Sequence, residues 1–335
     1  MKNITLIIIL SALLLPSCMN EPVQQPNTFK GNFEALWQII NTKYCYLDYK
    51  HINWDSIHTV YSARVDTVKS EYHFFDLMGN MLAELKDGHV NLYSEFNRSR
   101  YWKWFLDFPA NFSSSLIKNS RYLGSNYLIA GGFEYAKLNN GTIGYMYYED
   151  FSNGFTDTNM AYIIRYFSNC KGLIIDVRNN GGGSLDYSKQ LASYFFKEET
   201  VTGYMCHKTG DGHSDFSTPV EIKTPTNKNV QWQRPVAVLT NRMSYSATND
   251  FVNRMKKLTP VVKILGDSTG GGGGLPLSSE LPNGWLVRFS ASPMYDSKMQ
   301  NTEWGIAPNI RDSIKVADQA KGIDTIIETA IKLLK

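Results

Sequence analysis

The stretch NRMSYSATNDF, residues 241–251, follows the apolar run RPVAVLT, precedes residues with helical spacing, and holds two serines, Ser244 and Ser246. A serine between a buried strand and a helix emerges at the carboxyl edge of a sheet, beside the helix's first free N–H groups. That place suits a nucleophile, because backbone N–H groups stabilise an oxyanion, and equally suits an ordinary N-cap hydroxyl. Taken alone, the stretch favours the cap. A serine hydroxyl is a weak nucleophile until a base accepts its proton, and the chain has six histidines: His51, His58, His73, His89, His207 and His213. His89, in KDGHV, follows a helix end and a turn glycine, where a loop can aim it into a cleft or leave it solvated. His207 and His213 flank the turn-like KTGDG and read as surface residues.

A third chemistry-bearing segment is DVRNNGGGS. Glycine tolerates the dihedrals that let a backbone approach a ligand closely and point N–H groups at it. Two other glycine-rich readings fit poorly. The spacing of a GxGxxG dinucleotide fingerprint is absent, and the acidic residues about 20 positions on, Glu198 and Glu199, follow a helix instead of a second strand. Neither glycine run is followed by Gly-Lys-Ser/Thr, which excludes a phosphate loop.

These segments need elements to hold them. From Phe29, the residues Phe33, Leu36, Trp37 and Ile40 follow helical spacing, as do Phe74, Leu77, Met81, Leu82 and Leu85, so residues 29–86 form a helical region. Between DGHVNLYS and residue 140 lie short aromatic-rich segments that read as strands and loops. From residue 141 a regular alternation begins. GTIGYMYY, GLIIDV, VAVLT, VVKIL and WLVRFSAS are strand candidates, and helices are expected in SLDYSKQLASYFF, after SYS, and in IIETAIKLL. Continuous apolar runs mark strands buried on both faces, and strands alternating with helices imply crossovers and a mainly parallel sheet.

Composition narrows the class. The apolar fraction of 43% and charged fraction of 19% are those of a globular protein, and a net charge of +3 gives no basic surface for nucleic acid. MKNITLIIILSALLLPSC opens with Lys2, runs uncharged and apolar from Ile4 to Leu15, and ends in small residues before Cys18. The run is too short to span a bilayer, which takes roughly 20 residues, and suits a signal-peptide core. LPSC resembles a bacterial lipobox, whose cysteine becomes the lipidated first residue, although Pro16 is an unusual occupant; the alternative is a soluble secreted protein with an incidental cysteine. The remaining cysteines, Cys45, Cys170 and Cys206, are odd in number and lack CxxC spacing, so they read as packing residues, not as metal ligands or a redox pair.

Taken in order, ELKDGHVNL, GTIGYMYYEDF, GLIIDVRNNGGGS, RPVAVLTNRMSYSATNDFV, ILGDSTGGGGG and EWGIAPNI resemble the successive landmarks of the C-terminal processing, or tail-specific, serine peptidases. The likeness runs from about residue 30 to the end. It implies that Ser246 is the nucleophile and that Ser244 has no catalytic counterpart. It places the oxyanion hole on the RNNGGG turn, at Gly182 or one position away, and on the N–H of Ala247. One branch of the family uses a lysine as base, and its position falls on Gly271. Lys256 would lie about 15 Å along the helix from Ser246, and Lys263 sits on the next strand, so that branch is disfavoured. The other branch, similar to the tricorn core protease, uses the histidine of DGH and a glutamate before a terminal GxxP, which fall on His89 and Glu303. There His89 accepts the serine proton and returns it to the leaving amine, while Glu303 orients and charge-balances the site. The bland reading of Glu303 is a solvated loop carboxylate.

Two departures matter. The tricorn branch carries a serine directly before that histidine, and Gly88 stands there instead, leaving the link from Glu303 to His89 direct, water-bridged or absent. Too few residues separate His89 from Gly141 for an inserted PDZ domain, so capture of a substrate C-terminus in such a groove is not expected. The expectation is therefore an α/β chain with a ClpP/crotonase-like spiral core. Residues 1–18 are a lipoprotein signal peptide, 19–28 a tether, 29–93 a helical region and 94–335 the peptidase core, with 94–140 connecting strands and loops. It would be a serine endopeptidase acting on peptide or protein substrates without metal or organic cofactor, anchored by lipid in the periplasm, outer membrane or cell surface. The rival is an inactive peptide- or hydrophobic-ligand-binding lipoprotein of the same fold. An α/β-hydrolase esterase is weaker, because no GxSxG surrounds either serine.

Overall fold

The computed structural model describes residues 25–335, so Cys18, the signal stretch and most of the tether lie outside the described residues. The described residues open with three helices, each begun by a side-chain cap. Thr28 accepts from Gly31 N at the head of α1 (Phe29–Lys43), Asn53 from Ser56 N at α2 (Trp54–Val65), and Ser70 from His73 N at α3 (Glu71–Ala83). Each such cap satisfies a donor that the first helical turn leaves orphaned and is worth about 1 kcal/mol. Phe33, Leu36 and Ile40 of α1 and Phe74, Met78, Met81 and Leu82 of α3 are buried in one cluster with Trp285, Val287 and Phe289.

Past α3 a loop leads to β1 (Asn91–Tyr93), and the aromatic-rich stretch follows: α4 (Lys103–Leu106), α5 (Ser114–Ile117), β2 (Leu128–Ala130) and β3 (Phe133–Leu138). The two single-turn helices were not expected. They are too short to show a period, and packing holds them in place: Trp104 stacks on Tyr245 at 4.1 Å between ring centroids, and Leu116 and Ile117 are buried.

The α/β alternation then runs β4 (Ile143–Tyr148), α6 (Asp157–Tyr166), β5 (Gly172–Asp176), α7 (Leu185–Ser193), an antiparallel pair β6 (Thr200–Met205) and β7 (Val220–Thr224), β8 (Val236–Thr240), α8 (Ala247–Lys256) and β9 (Val262–Gly266). Strands β10 (Gly274–Glu280), β11 (Leu286–Asp296) and β12 (Ile310–Arg311) and helices α9 (Val316–Gln319) and α10 (Thr325–Leu334) complete the chain. A seven-stranded sheet has the order β12-β9-β8-β5-β4-β3-β2. The ladders from β4 through β5, β8 and β9 to β12 are parallel, while β2 and β3 add antiparallel. All five residues of β5 and of β8 are buried, as their continuous apolar runs require. One face packs on α6, α7 and α8 through Ile163, Leu191 and Phe251, the other on α10 through Ile326, Ile327 and Ile331.

A second, antiparallel sheet was visible in the sequence only through β11. It has the order β1-β11-β6-β7, with β10 also paired to β11, and its apolar face is the one covered by the N-terminal helices. The helical region is therefore joined to the rest of the chain through a shared core, and β1, directly after it, is a strand of that second sheet.

Candidate active site

The carboxyl ends of β5, β8 and β9 lie side by side, and their loops carry DVRNNGGGS, NRMSYS and GDSTGGGGG. Ser246 stands between β8 and α8 with φ +59° and ψ −118°. A non-glycine residue in that region is strained and persists only where its surroundings fix it. Here they do: Ser246 N donates to Gly271 O at 2.9 Å, Tyr245 N to Asn180 O at 3.0 Å and Gly270 N to Ser244 O at 2.9 Å. Ser246 occupies the N-cap position of α8, yet its hydroxyl makes no capping bond. Instead Oγ lies 3.0 Å from His89 Nε2. The capping reading, favoured by the stretch in isolation, therefore does not hold for Ser246. Ser244 is the buried turn hydroxyl, donating to Val177 O at 2.8 Å and accepting from Asn241 N at 3.1 Å.

The turn after β5 is held from below. Arg178, fully buried, pairs with Asp176 at 2.6 Å and with Asp324, the N-cap of α10, at 2.9 Å. A Cβ on Gly182 would come within 2.8 Å of Ser246 Cβ and 2.9 Å of Ala247 N, so only glycine permits the turn to lie against the serine. The Gly182 N–H, however, is donated to Asn180 Oδ1 at 3.0 Å. Of the two expected oxyanion donors, Ala247 N–H, at the first position of α8, is a donor that the helix itself leaves without a partner. On the turn, the neighbouring Gly181 and Gly183 are exposed, one position to either side of the expected donor.

His89 sits in the loop between α3 and β1 and is 3% exposed, not solvated. Its backbone N–H donates to Asp87 Oδ1 at 2.8 Å, and its ring meets Tyr245 edge-on at 4.9 Å. Burial pushes the imidazole down to about 4; Asp87 and the Gly274 backbone oppose this, while Arg288 and Lys50 reinforce it. His89 is thus a neutral imidazole at pH 7, able to accept a proton. Nδ1 makes no hydrogen bond of ordinary geometry.

Glu303 is buried, 3% exposed, in the loop after β11. It does not reach His89. Oε1 lies 2.7 Å from Lys50 Nζ, and Oε2 accepts from Gly273 N at 3.0 Å. Burial and the charge of Asp87 push its carboxyl up, while the Lys50 ammonium and the Gly273 N–H, each donating to one of its oxygens, pull it back toward the charged form. A serine ahead of His89 would have to displace Trp104 and Tyr245: a Cβ at Gly88 would come within 2.6 Å of Trp104 Nε1 and 2.9 Å of the Tyr245 hydroxyl. Gly271, where the other branch places its lysine, has φ +86°, and a Cβ there would overlap the Glu303 carbonyl oxygen. No side chain can project from that position.

Three residues of the site were missed from sequence: Lys50, Asp87 and Tyr44. Asp87 Oδ2 accepts from Tyr44 OH at 3.0 Å and Ser290 Oγ at 2.9 Å, with Lys50 Nζ at 3.5 Å. Burial alone would raise the Asp87 carboxyl, but Lys50, His89 and these donors hold it below its ordinary value. Asp87 had a signal, since it stands two residues before His89; Lys50 and Tyr44, in the turn after α1, had none. Cys45, Cys170 and Cys206 are free and buried, and among the described residues no cluster of His, Cys, Asp and Glu could hold a metal ion.

Comparison with known proteins defines the class. Peptidase family S41 matches residues 142–312 and the tricorn protease C1 domain matches residues 25–83. The chain belongs to peptidase family S41. A Sulfurisphaera tokodaii protein, provisionally described as a tricorn-like protease C-terminal subunit, is 25% identical over 224 residues, covering 65% of this chain. The chain spans 24% of that relative's length. A crystal structure from Parabacteroides merdae ATCC 43184, provisionally described as a peptidase, is 52% identical, covers 90% of this chain and 95% of its own, and superposes with a TM-score of 0.87. Mature CPAF complexed with lactacystin shares the fold at a TM-score of 0.67 and 14% identity, over 92% of this chain and 97% of its own.

Proposed function

We propose that the protein is a serine endopeptidase that hydrolyses peptide bonds through an acyl-enzyme on Ser246, with His89 as general base. The observation that carries this reading is the 3.0 Å contact between Ser246 Oγ and a buried His89 Nε2 on a strained turn at the head of a helix. Ser246 Oγ attacks the scissile carbonyl carbon as its proton passes to Nε2. The tetrahedral oxyanion is stabilised by Ala247 N–H and an N–H of the RNNGGG turn. The imidazolium then protonates the leaving amine, and a water, deprotonated by His89, hydrolyses the ester. Glu303 and Asp87 act behind His89 as fixed carboxylates that favour the transient imidazolium. Membership of peptidase family S41 supports the same reaction class. The binding-only reading would leave both the strained Ser246 backbone and the neutral base beside it without purpose.

The lipobox-like LPSC supports attachment through a lipid on Cys18 and a place on the periplasmic, outer-membrane or cell-surface side. The test of the reaction is incubation of the protein, Ser246→Ala and His89→Ala with casein. Each variant should lose cleavage by about 10³-fold or more; equal cleavage by all three, or none by any, would overturn the assignment.

A further inference from the structure

The catalytic proposal uses Ser246 and His89, but the most tightly partnered buried charge near them belongs to neither. Lys50 leaves the turn after α1 with its side chain 2% exposed. Its Nζ reaches acceptors on two separate parts of the chain. In the loop that carries His89 these are Leu85 O at 3.2 Å, Lys86 O at 3.4 Å and Asp87 Oδ2 at 3.5 Å; in the loop after β11 it is Glu303 Oε1 at 2.7 Å. The rings of Trp304, Tyr46 and Tyr44 surround it, with centroids 4.8, 5.5 and 5.7 Å from Nζ. An ammonium in such a place loses its hydration and stays charged only because the carboxylates offset that loss. Conversely, two carboxylates buried together repel, and one would be neutralised unless a cation lay between them.

We propose that Lys50 is a positioning residue of the hydrolytic site: its ammonium fastens the His89 loop to Glu303 and lets Asp87 and Glu303 stand together behind the imidazole. The inference rests on the peptidase reading above. It gives the N-terminal helical region, matched by the tricorn C1 domain, a part in the chemistry as well as in the fold. The charged and titratable groups around His89 are Asp87 from its own loop, Lys50 from the turn after α1, Arg288 from β11, and Tyr245 with Ser246 from the turn before α8, with Glu303 beyond Lys50. Removing Lys50 deletes one of the two cations that depress His89 and leaves its two carboxylate partners uncompensated.

The test compares wild type, K50M, K50R, E303Q and K50M/E303Q on one fluorogenic peptide, after thermal melting has established which are folded. K50M should lower kcat by about 10²-fold, the scale of a misplaced catalytic group, at unchanged KM, and should move the acid limb of the pH profile upward. K50R should recover most of the rate, and the double variant should lose at least tenfold less than the product of the two single losses, because both changes act on one pair. A K50M enzyme with unchanged kcat and acid limb, or a double variant equal to that product, would overturn the proposal. If K50M does not fold, the comparison passes to the charge-balanced double variant against E303Q: equal kcat supports the proposal, and a further 10²-fold loss contradicts it. Activity of wild type that is abolished in Ser246→Ala establishes the underlying reading independently of any Lys50 result.

Discussion

At the scale of single residues, the account turns on how one stretch presents two serines differently. Ser244 is spent on the turn, and Ser246, with its backbone at φ +59°, turns its hydroxyl toward His89. The strain and the partner were invisible in NRMSYSATNDF itself, where a helix cap was the better reading, because both depend on residues distant in sequence. His89 carries the sharpest consequence. A base must be neutral to accept a proton, and a histidine of ordinary basicity would lose activity as pH falls through about 6.5. With the imidazole depressed to about 4 by burial, the acid limb of kcat/KM should lie near pH 4, with activity nearly flat from pH 7 to 5. A limb near 6.5 in the wild-type profile would mean that His89 is solvated in the working enzyme or is not the base. Glu303 was legible as a position through the terminal GxxP landmark, but its partners were not: the link to His89 was left open, and the carboxyl meets Lys50 and Gly273 N instead.

At the scale of elements, the strands that hold the site were legible because burial on both faces leaves an apolar run: GLIID and VAVLT became β5 and β8, and VVKIL, interrupted only by the half-buried Lys263, became β9. The second sheet was largely not legible. Strands β6, β7 and β10 are half-exposed with mixed patterns, and the sheet is held together by β11, whose ladders to β1 and β6 join residues far apart in sequence. The turn after β5 depends on a buried ion cluster in which Arg178 serves both Asp176 and Asp324. Replacing Arg178 by Met strands two carboxylates in the interior and should cost about 3–5 kcal/mol of stability, read as a lower denaturant midpoint. A loss under about 1 kcal/mol, the size of an ordinary surface change, would show that the cluster does not hold the turn.

At the scale of the whole molecule, the helical region, the antiparallel sheet and the mainly parallel sheet meet at one point. His89 and Asp87 come from the loop between the helices and β1, Ser246 from the carboxyl edge of the parallel sheet, and Glu303 from the loop after β11. Composition and periodicity could place these units in order along the chain but not bring them together. The ordered landmarks did that through a resemblance, and the residues outside the landmarks, Lys50 and Tyr44, stayed hidden. The attachment proposed for Cys18 belongs to this scale too. Expressed with residues 1–24 retained in a bacterial host, the protein should sediment with membranes and Cys18→Ala should not; equal partition of the two would count against the lipid anchor.

The central claim is that His89 makes Ser246 a nucleophile, and the most direct measurement is covalent labelling by a fluorophosphonate, located by peptide mass spectrometry. The account predicts a single adduct on Ser246, formed rapidly in wild type and slowed by about 10³-fold or more in His89→Ala. An adduct on another serine, or labelling of Ser246 at the same rate without His89, would contradict it.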